Sequence, residues 1–286
     1  MFQAQISEAV RADRPRQTQG DSVFVWDGRR ERLLIFEPET FQFSYDIEVE
    51  VSGDYSAVSG LISISNDLLL MRFTSSYSLY ADEDEQTFDT IQLVNRDGRP
   101  VGEPVLRMPV TRHLIYRTES GGIGLLLLPF IRHSSAKPGP DGTIYYGWSD
   151  SISFDVYSAS GDLLRTVRYG HEAIPVTQQD LDERMQNMDA KRREMFRSAD
   201  IPKTRPAYST FTVSDEGQIW VKHTPASDSL DVPWTVLGLD SQPVFSFELP
   251  PDVTVRVVKG NRVYATARLE DGAPYVIAYE YNQLQL

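Results

Sequence analysis

Ile219-Trp220-Val221 and Trp234-Thr235-Val236-Leu237, with the turn Asp215-Glu216-Gly217 before them and Asp240-Ser241-Gln242-Pro243 after, form one copy of a phrase that runs through the whole chain. A short apolar strand leads through polar residues into a second, alternating strand, then a tight turn and a third strand. Downstream the phrase returns at Val263-Tyr264-Ala265 with Tyr275-Val276-Ile277-Ala278-Tyr279. Upstream it is found at Ile144-Tyr145-Tyr146 with Ser153-Phe154-Asp155-Val156-Tyr157, and at Leu68-Leu69-Leu70 with Thr90-Ile91-Gln92-Leu93-Val94. The first copy is Val23-Phe24-Val25-Trp26-Asp27 with Leu33-Leu34-Ile35-Phe36. Successive copies start about 44, 76, 75 and 44 residues apart, and the shorter step is that of one four-stranded propeller blade. The chain therefore reads as all-β: a β-propeller of four-stranded antiparallel blades, about five of them present, with one helical insertion.

The uneven spacing has local causes. The first unit turns at Glu37-Pro38-Glu39-Thr40 and returns through Phe41, Phe43 and Tyr45, whose alternation predicts a half-buried strand. The second carries an acidic loop, Asp82 to Glu85, a turn at Asn95-Arg96-Asp97-Gly98 and extra strand sequence from His113 to Tyr116; this excursion and a loop from Ser134 to Gly142 are read as its surplus. The third turns at Ser158-Ala159-Ser160-Gly161-Asp162 and runs into a helix. Thr177 with Asp180 three residues on predicts a capping box, and Leu181, Met185, Met188, Met195 and Phe196 fall on one helical face before Pro202 and Pro206 end it. Residues 1–286 are read as a single propeller domain and 175–200 as an insertion between blades.

Those five residues are the candidate partner-binding stripe, because thioether side chains repack readily around an apolar partner. The competing reading is that the stripe seals the insertion against its own propeller, where an amphipathic helix normally turns its apolar face. Lying over one propeller face, the helix would restrict the tunnel entrance.

Composition narrows the classes. The 286 residues carry a net charge of −13, from 41 acidic against 28 basic residues, and no basic patch offsets the acidic surface. Nucleic acid is therefore not an expected partner. Zero cysteines exclude disulfides, thiolate zinc sites and a thiol nucleophile. No apolar run approaches the ~18 residues of a membrane span. The longest candidate, Ile123 to Ile131, ends in Arg132 and His133 and reads as a strand. Met1 to Gly20 contain Arg11, Arg14 and Arg16 but no apolar stretch of the secretory kind, so the chain is expected to be cytosolic or a mature or truncated fragment.

No residue pattern marks chemistry. His113, His133, His171 and His223 lack metal-ligand spacing, and no Asp-x-Asp-x-Asp-Gly loop marks calcium. The Asp82 to Glu85 run reads as a solvated loop. Ser120-Gly121-Gly122-Ile123-Gly124 lacks the Lys-Ser/Thr of a phosphate loop and reads as a turn entering a strand. With no Gly-x-Ser-x-Gly elbow, no catalytic, metal or cofactor residue is assigned. Two classes stay open: a non-catalytic binding or scaffolding propeller presenting loops and a tunnel mouth to a protein, peptide or glycan, and a lactonase-like hydrolase or lyase acting on a small molecule in the tunnel. The binding class is preferred.

Asp215-Glu216-Gly217-Gln218-Ile219-Trp220-Val221 resembles the D-x-G-x-(L/I)-W-V strand signature of bacterial six-bladed, NHL-like β-propeller proteins. Pro206-Ala207-Tyr208 and the Phe154 to Arg165 blade, with its Gly161-Asp162 turn, also look like that family, and the resemblance extends from about Gly20 to Tyr281. Members of that family carry a further N-terminal blade, so the resemblance leaves three readings, a six-bladed ring lacking its first blade here, a ring closed by five blades, or an incomplete sixth blade supplied by Met1 to Gly20, and the first is preferred. The resemblance also implies an exported location, periplasmic or in the cell envelope, if an upstream signal precedes this sequence. The motifs specify strands and turns, not chemistry.

Overall fold

A computed structural model of the protein describes residues 5–6, 16–19, 22–51, 53, 55–65, 68–75, 87–111, 114–117, 121–225, 231–269 and 271–281. The acidic run Asp82 to Glu85, His113, Ser120 and most of Met1 to Gly20 lie outside the described residues.

After a short strand β1 (Gln5–Ile6), the chain forms five antiparallel four-stranded sheets arranged as propeller blades. Blade 1 is β2 (Arg16–Gln19), β3 (Ser22–Asp27), β4 (Arg32–Phe36) and β5 (Phe43–Glu48). Blade 2 is β6 (Tyr55–Ser65), β7 (Leu68–Ser75), β8 (Phe88–Asn95) and β9 (Pro100–Pro109). A two-stranded excursion, β10 (Leu114–Arg117) with β11 (Ile123–Leu126), precedes blade 3: β12 (Ser134–Pro138), β13 (Ile144–Trp148), β14 (Ile152–Tyr157) and β15 (Leu163–Tyr169). Helices α1 (Gln178–Met185) and α2 (Ala190–Ser198) lead to blade 4: β16 (Tyr208–Val213), β17 (Ile219–His223), β18 (Val232–Leu237) and β19 (Pro243–Leu249). Blade 5 contains β20 (Thr254–Lys259), β21 (Arg262–Arg268) and β22 (Pro274–Glu280), and its fourth strand is β1, with Gln5 opposite Ala278 and Ile6 opposite Ile277.

The core sits between blades, and strand pleating puts it there. In β7, Leu69, Met71 and Phe73 turn to one side and pack with Trp26, Leu33 and Ile35 of blade 1. Leu70, one residue out of phase, turns the other way with Ile91 and Met108 toward Ile144 of blade 3. A central strand buried on both faces thus appears in sequence as the unbroken run Leu68-Leu69-Leu70. Phe154 and Val156 meet Tyr208, Phe211 and Val221 between blades 3 and 4. Trp220, Trp234 and Val236 meet Val255, Val258 and Val263 between blades 4 and 5.

The turns of the repeat are docking points. The turn joining the third and fourth strands of each of blades 2 to 4 abuts the outer strand of the blade before it. Gly98, at φ 82°, approaches so closely that an added Cβ would lie 1.8 Å from the Glu48 carbonyl oxygen, and Glu50 N donates to Gly98 O at 2.8 Å. Gly161, at φ 91°, stands against the Val105 carbonyl in the same way. In blade 4, Ser241 Oγ accepts from Arg168 N at 3.1 Å. Glycine meets the left-handed conformation and the close approach at Gly98 and Gly161, whereas Ser241 holds the same turn position at φ 69° and makes the contact through its side chain.

Several sequence expectations are corrected. Ser134 to Pro138 is the leading strand of blade 3, paired with β13, so the surplus before that blade lies in residues 110–133. The run from Ile123 is strand only to Leu126; Pro129 and Phe130 lie in a turn. The single predicted helix is two. Thr177 and Asp180 do form the reciprocal capping box, but α1 stops at Met185 and Asp189 caps a second helix by accepting from Arg192 N at 2.8 Å. An aspartate that satisfies a fresh helix start competes with continuation of the helix behind it. Phe41, just before β5, and Phe43 and Tyr45 on it are exposed, 59%, 57% and 49%, because β5 is the outermost strand of its blade and no described element covers that face. The described blades number five, and residues before Gly20 supply β1 and β2, not part of a sixth blade.

Candidate functional site

The leading strands β2, β6, β12, β16 and β20 neighbour one another in succession around the ring. Because strands alternate in direction within a blade, the connections that enter each leading strand emerge on the same propeller face as those between the second and third strands. Both long insertions, residues 110–133 and 170–207, are connections of the entering kind. They share one face.

Between them lies a cleft of about 720 Å³. Arg72 of β7 and Asp89 of β8 contribute from blade 2, Leu127, Leu128 and Phe130 from the first insertion, and Arg184 and Met188 from the second. His133 borders it at the entry to blade 3.

Two contacts fasten the insertions together. Arg132 donates from Nη1 to the Thr204 carbonyl at 2.6 Å, from Nη2 to Thr204 Oγ1 at 2.7 Å and from Nε to Asp150 Oδ1 at 2.9 Å. Phe130, held at φ 61°, presents its ring to the guanidiniums of Arg184 and Arg205, 5.7 and 5.6 Å from the ring centroid. Arg205 is in turn paired with Asp180, both side chains being buried, and donates to the Pro225 carbonyl. A large residue in the left-handed region costs about 1–3 kcal/mol, which neighbouring contacts must offset.

The cleft's polar groups differ in their availability. Asp89 is buried and saturated: Oδ2 accepts from Arg72 Nε and Nη2 at 2.9 and 2.6 Å, and Oδ1 from Ser75 N at 3.2 Å. His133 Nδ1 lies 3.1 Å from Ser149 Oγ, which already accepts from His133 N. Burial pushes the His133 imidazole below its ordinary pKa, against a hydrogen bond to the Ser209 backbone that raises it. Ser149 is fully buried, so this serine and histidine bind structure together and present no nucleophile to the cleft.

Of the five candidate stripe residues, Met188 lines the cleft, in the turn between the helices. Phe196 is buried, and Leu181, Met185 and Met195 are half-buried away from the cleft lining. Among the other histidines, His171 and His223 come together, ring centroids 6.4 Å apart, with His223 Nε2 2.8 Å from Thr235 Oγ1. Burial lowers both pKa values, and for His223 the charge of His171 lowers it further. Among the described residues no three His, Asp or Glu side chains converge as a metal site, and no helix is long and apolar enough to cross a membrane. Sequence reasoning missed Arg72, Asp89, Phe130, Arg132, Arg184 and Arg205. The available signal was that both oversized repeat steps enlarge the same connection.

No protein-family model matches the chain, and no curated protein matches it. Among solved structures, apo AztD from Citrobacter koseri is similar at 10% identity and a TM-score of 0.43, over 94% of this chain and 75% of that one. Kluyveromyces lactis Hsv2 is similar at 11% identity and a TM-score of 0.40, over 93% and 84%. The PQQ-bound aldose sugar dehydrogenase from Streptomyces coelicolor is similar at 11% identity and a TM-score of 0.41, over 98% of each chain. At these scores the likeness carries no functional argument, and the propeller assignment stands on the strand order of the chain itself.

Proposed function

We propose that the protein is a non-catalytic binding propeller whose ligand, a peptide, a glycan or a small molecule, enters the cleft between the two insertions. The observation that carries this reading is the construction of the cleft: two independent enlargements of the repeat meet on one face, are fastened by Arg132 and Phe130, and leave a space within the usual ~300–1,000 Å³ of ligand sites. Its potentially reactive groups, Asp89, His133 and Ser149, are committed to internal hydrogen bonds. The apolar walls of Leu127, Leu128, Phe130 and Met188 suit binding more than chemistry.

A second reading, a propeller hydrolase or lyase, is favoured by one observation, the neutral imidazole of His133 beside the cleft. Kinship with NHL-like propellers, and the exported location that goes with it, belongs to the same set of proposals and rests on residues 215–221.

The test is thermal stabilisation by a panel of short peptides, oligosaccharides and small organic molecules, run on the protein and on Met188→Trp, which fills the cleft from its helical wall. Stabilisation of the parent that the variant loses supports binding in the cleft. Turnover of ester or lactone substrates that His133→Ala abolishes, with the fold intact, would replace this reading with the enzymatic one.

A further inference from the structure

The charge inventory of the cleft is unbalanced. Among the described lining residues Asp89 is the only carboxylate, and Arg72 neutralises it. His133 is held toward its uncharged form by burial. Arg184 is different: its guanidinium lies over the Phe130 ring and forms no ion pair within 4.0 Å among the described residues. A guanidinium held by a cation–π contact spends no N–H on that contact and keeps its fork of donors for a planar anion. The positive excess continues past the cleft floor. Lys137 on β12 is lowered below the ordinary lysine pKa by burial first and then by the charges of Arg256 and Arg72.

All this stands in a protein of net charge −13, where a cation facing apolar walls without an ion pair among the described residues is a specific feature, not a background one. Leu127, 60% exposed, and Leu128 flank it from the first insertion, and Met188 from the second. One free guanidinium matches one negative charge; the walls match an apolar body.

We propose that the cleft binds an organic monocarboxylate, its carboxylate gripped by Arg184 and its apolar body lying against Leu127, Leu128, Phe130 and Met188. This rests on the cleft being a binding site, as argued above. The neutral Arg72–Asp89 pair forms part of the floor and repels neither end of such a ligand.

The probes are 3-phenylpropionate and octanoate, each compared by titration calorimetry with its neutral primary amide. Both acids are expected to bind more tightly than their amides by about tenfold, the usual worth of a hydrogen-bonded charge. Arg184→Gln, at an exposed position on α1, is expected to lower the melting temperature only slightly, since Arg205 keeps its own contact with Phe130, and to bring acid and amide to equal affinity. Arg184→Lys should restore part of the preference. Equal binding of acid and amide by the parent, or an acid preference that survives Arg184→Gln, overturns the proposal. If neither acid binds while a neutral peptide or glycan does so in a manner lost in Met188→Trp, the carboxylate assignment fails and the binding reading stands. If neither the acids nor any member of the panel binds, both fall.

Discussion

The guanidinium of Arg132 and the main-chain carbonyl of Thr204 are 2.6 Å apart, although 72 positions of sequence separate them. One side chain thereby connects the first insertion to the end of the second, and its bond to Asp150 adds the connection between the second and third strands of blade 3. Arg132→Met keeps the aliphatic stem and removes every donor. It is expected to cost about 2–3 kcal/mol, the scale of hydrogen bonds to a charged group. Urea unfolding gives the magnitude, and faster amide exchange in α1 and α2 with little change in blades 4 and 5 would show that the loss is local.

Asp180 unites two tasks: it closes the capping box on Thr177 N at 2.9 Å and holds the buried guanidinium of Arg205. Asp180→Ala removes both, taking the buried guanidinium's carboxylate partner. A destabilisation of about 3–5 kcal/mol is expected, measured by chemical denaturation, with loss of helical ellipticity preceding loss of sheet signal.

Gly98 and Gly102 share a positive φ, 82° and 71°, yet only Gly98 faces another backbone. Gly102→Ala should cost about 1–2 kcal/mol, the intrinsic penalty of that conformation. Gly98→Ala should cost distinctly more, since its Cβ collides with the Glu48 carbonyl and the blade 1 to blade 2 contact must open. Comparison of the two unfolding free energies isolates the docking component from backbone strain. Equal values would show that the turn does not hold the blades together.

The described histidines set a pH dependence. His133, His171 and His223 all have folded pKa values pushed below 6.5, by burial first in each case. A depressed histidine binds fewer protons folded than unfolded. Its stabilising contribution is therefore complete above about pH 6.5 and is lost as pH falls through the folded values, by up to about 1.4 kcal/mol per pH unit for each proton. The melting temperature should fall between pH 6.5 and 5. His171→Gln combined with His223→Gln should flatten that fall, as calorimetry at pH 8, 6.5 and 5 would show; an unchanged slope would assign the acid sensitivity elsewhere.

What was legible in the sequence was what short-range patterning controls. Leu68-Leu69-Leu70 and Ile219-Trp220-Val221 announce strands buried on both faces, Asn95 to Gly98 and Ser158 to Asp162 announce turns, and Thr177 with Asp180 announces a helix start. The exposure of Phe43 and Tyr45 was not legible, because alternation reveals that a strand has two faces and not whether a further layer covers either. The cleft was hidden for a related reason. Arg72, Asp89, Phe130 and Arg184 come from separate elements, and only the closed ring brings those elements to one place. The Met-rich stripe overlapped the cleft at Met188 alone, since Asp189 breaks the helix that would have kept the five residues in line.

The pairing of β1 with β22 gives the ring a lock whose two halves are made at opposite times. During synthesis Gln5 and Ile6 emerge before every other described strand, and their partners Ala278 and Ile277 emerge with the final one. Until then the last blade lacks its outer member, and each blade already formed flanks an incomplete circle. Completion must therefore await synthesis of β22, which places the contact of greatest sequence separation among the described strands at the end of assembly. A bulky fusion ahead of β1 would hinder that last step while leaving the four earlier blades free to form.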